Sequence, residues 1–153
     1  LIQYIIGKYM FESILILCTG NICRSPIAEK LMQKLLPTKN ITSAGVGALV
    51  GHPADDSAIY VAQELGLSLE GHKGRQFDAE LARHYDLILV MDKGNLERVS
   101  RLAPEARGKT MLLGHWLGEK EIPDPYRKSL EAFKSVSQLI DQACKSWAIK
   151  LKD

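Results

Sequence analysis

Short apolar runs alternate with amphipathic stretches along this chain of 153 residues. Four of the runs have the length of β-strands, and they lie at residues 13–17, 41–44, 86–91 and 110–113. The first and the third are apolar almost throughout, which is typical of central strands buried on both faces. Since strands that alternate with helices favour a parallel sheet, the pattern predicts an α/β fold. We expect a single-domain, four-stranded parallel sheet flanked by helices, a small doubly wound fold with right-handed crossovers.

The predicted helices carry apolar residues at every third or fourth position. The first begins at Pro26, because proline favours the first position of a helix. Asp55 or Asp56 is expected to cap the second. Further helices are expected at residues 78–84, 95–102 and 129–151. The last of these presents an apolar stripe that consists of Leu130, Phe133, Val136, Ile140, Ala143, Trp147 and Leu151.

The composition is that of an ordinary folded domain, with 46% hydrophobic and 25% charged residues. A formal net charge of +2 without a run of basic residues argues against nucleic acid as a partner. The chain has three cysteines, Cys18, Cys23 and Cys144, and no recognisable secretion signal. Because a small, odd number of cysteines does not suit a disulfide framework, we expect a reducing compartment and therefore a cytoplasmic protein.

The first residues of the sequence differ from the rest. Residues 1–11 are apolar in patches but too short to span a bilayer, so no membrane insertion is expected. Met10, followed by Phe11-Glu12-Ser13, is typical of a natural start. We therefore expect residues 1–9 to be an extension, added in cloning or encoded upstream, and residues 10–153 to form the domain.

The candidate chemistry lies directly after the first strand, in Cys18-Thr19-Gly20-Asn21-Ile22-Cys23-Arg24-Ser25, here called the anion loop. The loop is expected at the carboxyl edge of the sheet, where α/β folds bind their ligands. Gly20 permits close backbone approach, so that successive N–H groups can surround an oxyanion, and the following helix adds its positive dipole end. The same field favours the thiolate form of Cys18, which would make this residue a nucleophile.

Other side chains fit a phosphoryl-transfer reaction. Arg24 offers two parallel donors to phosphate oxygens, and Ser25 can donate a hydrogen bond to the sulfur when it leaves. Transfer to sulfur also needs an acid that protonates the leaving oxygen and then a base that activates water. Asp124 is the best candidate, because two prolines stiffen its loop, Ile122-Pro123-Asp124-Pro125-Tyr126, in which Tyr126 could flank a substrate ring. The alternatives are Asp86 and Asp92, at the two ends of the third strand.

The anion loop with Pro26, and Asp124-Pro125-Tyr126 at this separation, closely resemble the signature loop and general-acid motif of the low-molecular-weight protein tyrosine phosphatases. The likeness runs from about Met10 to Leu151. It includes the blocks Ser43-Ala44-Gly45, Gly71-His72-Lys73-Gly74-Arg75 and Met91-Asp92. The resemblance implies hydrolysis of protein phosphotyrosine through a cysteinyl-phosphate intermediate, without a cofactor or metal. Cys18 would be the nucleophile, Arg24 the phosphate ligand and Asp124 the acid and then the base.

The resemblance also implies supporting residues. Asn21, Ser25, Ser43 and His72 would form a hydrogen-bond network that holds the anion loop in shape. Asn21 is expected to be left-handed, a conformation that Asn tolerates better than most residues. The residues expected to bind the substrate are Thr19, Gly20, Asn21, Ile22, Cys23, Ser25, Leu49 and Tyr126.

Two departures from the common family pattern are informative. Arg127 stands where many members carry a second aromatic residue, and the wall near Leu49 is aliphatic. Both features, with Gly114-His115-Trp116, resemble the Gram-negative branch encoded with capsule and exopolysaccharide export genes. The resemblance implies a membrane tyrosine autokinase with a tyrosine-rich tail as partner, and a phosphatase that acts as a monomer. Arg127 and Lys128 either attract that anionic tail or form a solvated charged pair at a helix start.

The other cysteines have competing interpretations. In the family a second loop cysteine can trap the oxidised nucleophile as a reversible disulfide, and we favour this protective role for Cys23 because loop curvature could bring the sulfurs close. The alternative is that Cys23 packs beneath the loop as a small hydrophobic residue. Cys144 lies on the apolar side of the last helix, where we expect it to pack in the core.

Three other functions fit the sequence less well. An arsenate reductase on the same fold would need two relay cysteines in a mobile segment, and residues 69–83 contain none. A phosphotyrosine-binding module without activity would not need Cys18, Arg24 and Asp124 together. A metal site at Cys18 and Cys23 lacks an adjacent cysteine or histidine pair that would complete four ligands.

Overall fold

The computed structural model describes residues 11–152, so the expected extension at residues 1–9 lies outside the described part. The strands are β1 (Ser13–Cys18), β2 (Asn40–Gly45), β3 (Leu87–Val90) and β4 (Thr110–Leu112). The α-helices are α1 (Arg24–Leu35), α2 (Asp56–Glu64), α3 (Ala79–Ala82), α4 (Lys93–Leu102) and α5 (Leu130–Leu151). Short 3₁₀ helices lie at Pro104–Lys109 and His115–Leu117.

The strands form one parallel sheet in the order β2-β1-β3-β4. β1 is central, and its Ile14 pairs with Ile41 of β2 on one side and Leu87 of β3 on the other. After β2 the chain crosses to the other side of β1 to form β3. Doubly wound folds open a crevice at such a switch point, which here lies between β1 and β3. The predicted fold, a four-stranded parallel sheet flanked by helices, is confirmed.

Helices cover both faces of the sheet. Alternate residues of β1 point to opposite faces, so Ile14 and Ile16 pack with α1, α2 and α5, while Leu15 and Leu17 pack with α3 and α4. All four side chains are fully buried. Burial on both faces explains why β1 is a continuous apolar run in the sequence, and it leaves the ends of the strands as the place for polar chemistry.

The start of α1 differs from the prediction. The helix begins at Arg24, so Pro26 is its third residue and not its first. Proline is tolerated there because the first N–H groups of a helix have no partner within it. The last two residues of the anion loop therefore belong to the first turn of α1, which fixes their backbone.

The other helices agree with the prediction except at their ends. Asp55 is the residue that caps α2, because its side chain accepts a hydrogen bond from the Ser57 N–H. The helix predicted at residues 78–84 is only the single turn of α3. Leu130 is 38% exposed and does not belong to the buried stripe of α5, whereas the other predicted stripe residues are buried. In the part of the chain that the structure describes, no helix is both long and apolar enough to cross a membrane.

Candidate active site

The anion loop leaves the carboxyl end of β1 and enters α1. The carbonyl oxygens of five consecutive residues, 18–22, accept hydrogen bonds from groups outside the loop. The donors are the N–H groups of Val46, Gly47, Leu49 and Asp55 and the Nε2 atom of His72. In a trans peptide the N–H points away from the preceding carbonyl, so the N–H groups of residues 19–23 face the concave side of the loop. This arrangement is an anion-binding cradle.

Two glycines allow neighbouring segments to press against this cradle. A Cβ atom on Gly45 would lie 2.5 Å from the Thr19 carbonyl oxygen, and one on Gly74 would collide with the carbonyl oxygen of Leu49. Both glycines lie in sequence blocks that resemble the family. Their small size is required because backbone meets backbone there.

Asn21 supports the loop from below. Its φ of 58° is left-handed, as predicted, and its side chain is fully buried. The Arg75 N–H donates to Asn21 Oδ1 at 2.9 Å, which fixes the orientation of the amide. Asn21 Nδ2 then donates to Ser25 Oγ at 2.7 Å and to Ser43 Oγ at 3.0 Å. The predicted network of Asn21, Ser25, Ser43 and His72 is therefore assembled around this residue.

The same network orients the hydroxyl of Ser25 toward Cys18. Ser25 Oγ accepts from Asn21, so its own hydrogen is free for another acceptor. Cys18 Sγ lies 2.9 Å away, and the Ala44 carbonyl is a more distant alternative at 3.5 Å. The short contact favours donation from Ser25 to the sulfur, an arrangement that stabilises a thiolate.

Arg24 is the most buried charged residue of the site, with 1% of its surface exposed. Its Nη1 atom donates to Asp92 Oδ2 at 2.8 Å and to the Ile122 carbonyl at 2.9 Å. Its Nη2 atom lies 3.3 Å from Thr19 Oγ1, while its Nε atom has no hydrogen-bond partner within the described residues. Nη1 is therefore anchored by two acceptors. Nε and Nη2 form one edge of the guanidinium, and this edge retains the Nε–H donor and a second N–H donor on Nη2 for a bidentate ligand.

The three candidate acids are in different environments. Asp86 lies at the amino end of β3, far from the carboxyl edge of the sheet. Its carboxylate accepts hydrogen bonds from the N–H groups of Glu12 and Ser13. Asp92 holds Arg24 with one oxygen and caps α4 with the other. Asp124 is 48% exposed, and its Oδ2 lies 3.7 Å from Arg24 Nη2. Geometry thus favours Asp124, which shares the cleft with Cys18.

A cleft of about 170 Å³ opens above the anion loop. Its polar floor includes Cys18 and Arg24, and its walls include Leu49 and Tyr126. An apolar cleft with a few convergent polar groups at its base suits a small aromatic ligand with one anionic end. The lining residues are Cys18, Thr19, Gly20, Ile22, Cys23, Arg24, Gly47, Leu49, Asp124 and Tyr126.

Most of the predicted substrate-binding residues line this cleft, but the side chains of Asn21 and Ser25 do not. Both are completely buried beneath the loop and are engaged with each other. The physical reason is that the loop curls around its ligand with backbone N–H groups, which leaves these side chains on the opposite side. Their expected contact with substrate is therefore limited to the backbone.

The sequence interpretation missed three polar residues of the network. Glu29 accepts a hydrogen bond of 2.7 Å from Ser43, Arg75 donates its N–H to Asn21, and Asn95 Nδ2 donates to Thr19 Oγ1 at 3.2 Å. Glu29 lies on α1 just after the anion loop, which is a weak signal. Only the fold brings Arg75 and Asn95 to the loop. Arg75 ends a sequence block that resembles the family, whereas no local signal indicates the part of Asn95.

The two remaining cysteines are buried thiols. Burial, followed by the negative charge of Asp55, raises the pKa of the Cys23 thiol far above its ordinary value, so this side chain is protonated at neutral pH. Its disulfide-forming role stays a prediction. Burial likewise raises the pKa of Cys144, which packs in the core near the Ala28 carbonyl, as expected. Across residues 11–152, no group of three or more histidine, cysteine, aspartate or glutamate residues is arranged to hold a metal ion.

Comparison with known proteins agrees with this geometry. Residues 13–153 match the family described as low molecular weight phosphotyrosine protein phosphatase. The low molecular weight protein-tyrosine-phosphatase Etp of Escherichia coli K12 is 57% identical over 145 residues, which are 95% of this chain and 98% of Etp. The phosphatase Wzb of the same strain is 56% identical over 139 residues, which are 91% of this chain and 95% of Wzb.

A solved structure extends the comparison to the fold. The crystal structure of the tyrosine phosphatase Wzb from Escherichia coli K30, in complex with sulphate, superposes with a TM-score of 0.91 at 67% sequence identity. The match covers 93% of this chain and 99% of the Wzb chain. The relatives come from a Gram-negative bacterium, in agreement with the branch that the sequence resembles. The chain therefore belongs to the family of low molecular weight protein tyrosine phosphatases.

Proposed function

We propose that this tyrosine phosphatase hydrolyses phosphotyrosine through a cysteinyl-phosphate intermediate on Cys18, with Arg24 as phosphate ligand and Asp124 as acid and then base. The observation that carries the mechanism is the buried Arg24 Nε, which has no hydrogen-bond partner within the described residues. A buried guanidinium Nε without a partner costs free energy unless a ligand satisfies it. Two oxygens of a phosphate match the spacing of Nε and Nη2, and the cradle of residues 19–23 supplies further donors.

The first step breaks the bond between phosphorus and the tyrosine oxygen. The Cys18 sulfur attacks phosphorus while the neutral carboxyl of Asp124 donates its proton to the leaving phenolate oxygen. Arg24 and the N–H groups of the anion loop stabilise the charge on the phosphoryl oxygens. The products are free tyrosine hydroxyl and phosphocysteine.

The second step returns the enzyme to its starting state. The Asp124 carboxylate removes a proton from water, the water oxygen attacks phosphorus, and the sulfur leaves as a thiolate. The Ser25 hydroxyl, 2.9 Å from the sulfur, donates a hydrogen bond to that leaving group. Inorganic phosphate is released and Asp124 is again protonated for the next cycle.

The test is turnover of p-nitrophenyl phosphate and of a phosphotyrosine peptide, without added metal, in wild type and in Cys18→Ser. We expect turnover in the wild type and none in Cys18→Ser. Cys144→Ser serves as the matched control, because it replaces another buried thiol that does not touch the cleft. Activity that survives in Cys18→Ser would rule out the cysteinyl-phosphate mechanism.

We further propose that the physiological substrate is the phosphorylated tyrosine-rich tail of a membrane tyrosine autokinase that controls capsule or exopolysaccharide production. The resemblance to the Gram-negative branch supports this partner. An aliphatic wall at Leu49 and a stacked pair at the opposite rim, with the Arg127 guanidinium 5.3 Å from the centre of the Tyr126 ring, suit a phosphotyrosine on an anionic chain. A cytoplasmic monomer is the form that would reach such a tail.

A purified membrane tyrosine autokinase of the same bacterium, phosphorylated on its tyrosine-rich tail, is the decisive substrate. We expect the phosphatase to remove phosphate from its tail faster than from an unrelated phosphotyrosine protein at equal concentration. Equal rates would contradict the assignment of this partner while leaving the chemistry intact. Size-exclusion chromatography with light scattering measures the molar mass and so tests whether the phosphatase is a monomer.

A further inference from the structure

A second cleft, of about 270 Å³, adjoins the phosphatase cleft. The two clefts share Thr19, and the second is lined on its far side by Arg98 and Arg101 of α4. The proposed mechanism uses neither arginine. Because the two clefts meet at Thr19, residues next to a phosphotyrosine bound in the first cleft are within reach of the second.

Arg98 is held in place by the loop that lines the active site. Its Nη2 atom donates to the Val46 carbonyl at 2.9 Å, and the Val46 N–H in turn donates to the Cys18 carbonyl at 3.0 Å. A Cβ atom on Gly47 would lie 3.6 Å from Arg98 Nη2 and 3.9 Å from the Thr19 methyl group. The guanidinium is therefore positioned beside Gly47, which lines the phosphatase cleft, while the Arg98 side chain stays exposed.

The charges that face Arg98 leave a positive site. Asp92 and Glu97 also line the second cleft. The Asp92 carboxylate is paired with Arg24 at 2.8 Å and caps α4, so its charge is already compensated. Glu97 is an exposed residue of the same helix and opposes two arginines. A guanidinium has five N–H donors, so the bond to Val46 leaves donors for a planar anionic group.

We propose that Arg98 is a specificity residue that binds an anionic group next to the phosphotyrosine of the substrate. The group is either the carboxylate of an acidic residue or the phosphate of a second phosphotyrosine, since both offer paired oxygens to a guanidinium. Thr19 lines both clefts, so the anion belongs to a residue close to the phosphotyrosine. The inference rests on the proposed function, because it extends the binding of the same substrate.

The experiment compares kcat/KM for three matched phosphotyrosine peptides. One carries only neutral neighbours, a second carries glutamate at successive positions around the phosphotyrosine, and a third carries a second phosphotyrosine there. In the wild type we expect kcat/KM for the anionic peptides to exceed that for the neutral one by about threefold to fivefold, the upper part of the range of an exposed charge pair. In Arg98→Ala the ratio should fall to about one, and higher ionic strength should reduce the wild-type ratio.

The ratio distinguishes recognition from mere support of the loop. If Arg98 only holds the Val46 carbonyl, Arg98→Ala lowers kcat/KM for all three peptides by the same factor. The ratio between the peptides is then unchanged, and the proposal is overturned. A wild type without preference overturns it as well. Loss of preference for one anionic peptide alone identifies the carboxylate or the phosphate as the ligand. The control is Arg83→Ala, which removes an exposed arginine paired with Glu80, away from both clefts.

Failure of this inference is separate from failure of the mechanism. The mechanism is judged by the activity of Cys18→Ser toward p-nitrophenyl phosphate, which has no neighbouring residues. The subsite is judged by the ratio between peptides in a protein that retains Cys18.

Discussion

Beneath the anion loop, Asn21 and Ser25 are completely buried and each makes hydrogen bonds to at least two neighbours. At the mouth of the same cleft, Asp124 is 48% exposed and Tyr126 is 38% exposed. Both regions border the same ligand space. In this buried layer of Asn21 and Ser25, here called the base, the polar side chains are fixed by hydrogen bonds to their neighbours, whereas the mouth presents exposed side chains that can meet a substrate.

The difference reflects the cost of burial. A buried donor or acceptor that loses its partner costs about 1–3 kcal/mol, so the base tolerates few changes. Exposed groups at the mouth exchange their partners for water at little cost. Mutations in the two regions should therefore differ in kind: those in the base should change stability and activity together, and those at the mouth should change activity alone.

Replacement of the acid at the mouth should have the largest effect on activity without an effect on stability. Asp124→Asn removes the proton donor, so we expect kcat toward phenyl phosphate to fall by about 100-fold to 1,000-fold. The loss toward p-nitrophenyl phosphate should be smaller, because its leaving group needs less protonation. The thermal midpoint should not change, since Asp124 is half-exposed.

Asp86→Asn is the matched control for this prediction. It makes the same change of charge at an exposed carboxylate on the amino edge of the sheet. An identical dependence on the leaving group in Asp124→Asn and wild type would mean that another residue is the acid, and Asp92 would be the next to test.

Replacement of Asn21, the central residue of the base, should lower both stability and activity. Asn21→Ala leaves the Arg75 N–H without its acceptor and Ser25 without its donor, and we expect a loss of about 2–4 kcal/mol in the free energy of unfolding. The rate should fall as well, because Ser25 is no longer oriented toward Cys18. Urea unfolding and kcat with p-nitrophenyl phosphate measure the two effects.

A glycine variant separates the two contributions of Asn21. Asn21→Gly loses the same hydrogen bonds but tolerates a φ of 58°, so it should be more stable than Asn21→Ala by about 1–2 kcal/mol. Asn40→Ala, at an exposed position of β2, is the control and should behave as wild type. Equal stability of the alanine and glycine variants would show that backbone conformation contributes nothing at this position.

The same contrast explains what the sequence revealed. β1 and β3 are central strands, and their continuous apolar runs follow from burial on both faces, so the sheet was predictable. The anion loop was predictable because its residues are contiguous. The contacts of Glu29 and Arg75 with the network were not, since only the fold brings the Glu29 carboxylate to Ser43 and the Arg75 backbone N–H to Asn21.

The sequence already favoured Asp124 among the candidate acids, and the structure adds the environments of the other two. Asp86 and Asp92 flank the same strand, and only the fold shows that one lies at the wrong edge and the other is paired with Arg24. Likewise, the family resemblance placed Asn21 and Ser25 with the substrate-binding residues, while their burial assigns their side chains to the base. Contacts across the sheet edge distinguish the environments of these residues, and a single sequence does not contain those contacts.

The smallest expected effect belongs to the apolar wall of the mouth. Tyr126→Ala removes an exposed ring that lines the cleft, and we expect kcat/KM for aryl phosphates to fall by about threefold to tenfold, the range of an aromatic contact. Alkyl phosphates offer no ring, so their smaller kcat/KM should change less. Tyr60→Ala is the matched control, because Tyr60 is 48% exposed but lies against Lys134, outside the cleft. If Tyr126→Ala lowered kcat/KM for aryl and alkyl phosphates equally, the ring would act by holding the loop in which the Tyr126 N–H donates to Asp124 Oδ1. The mouth would then share the rigidity of the base.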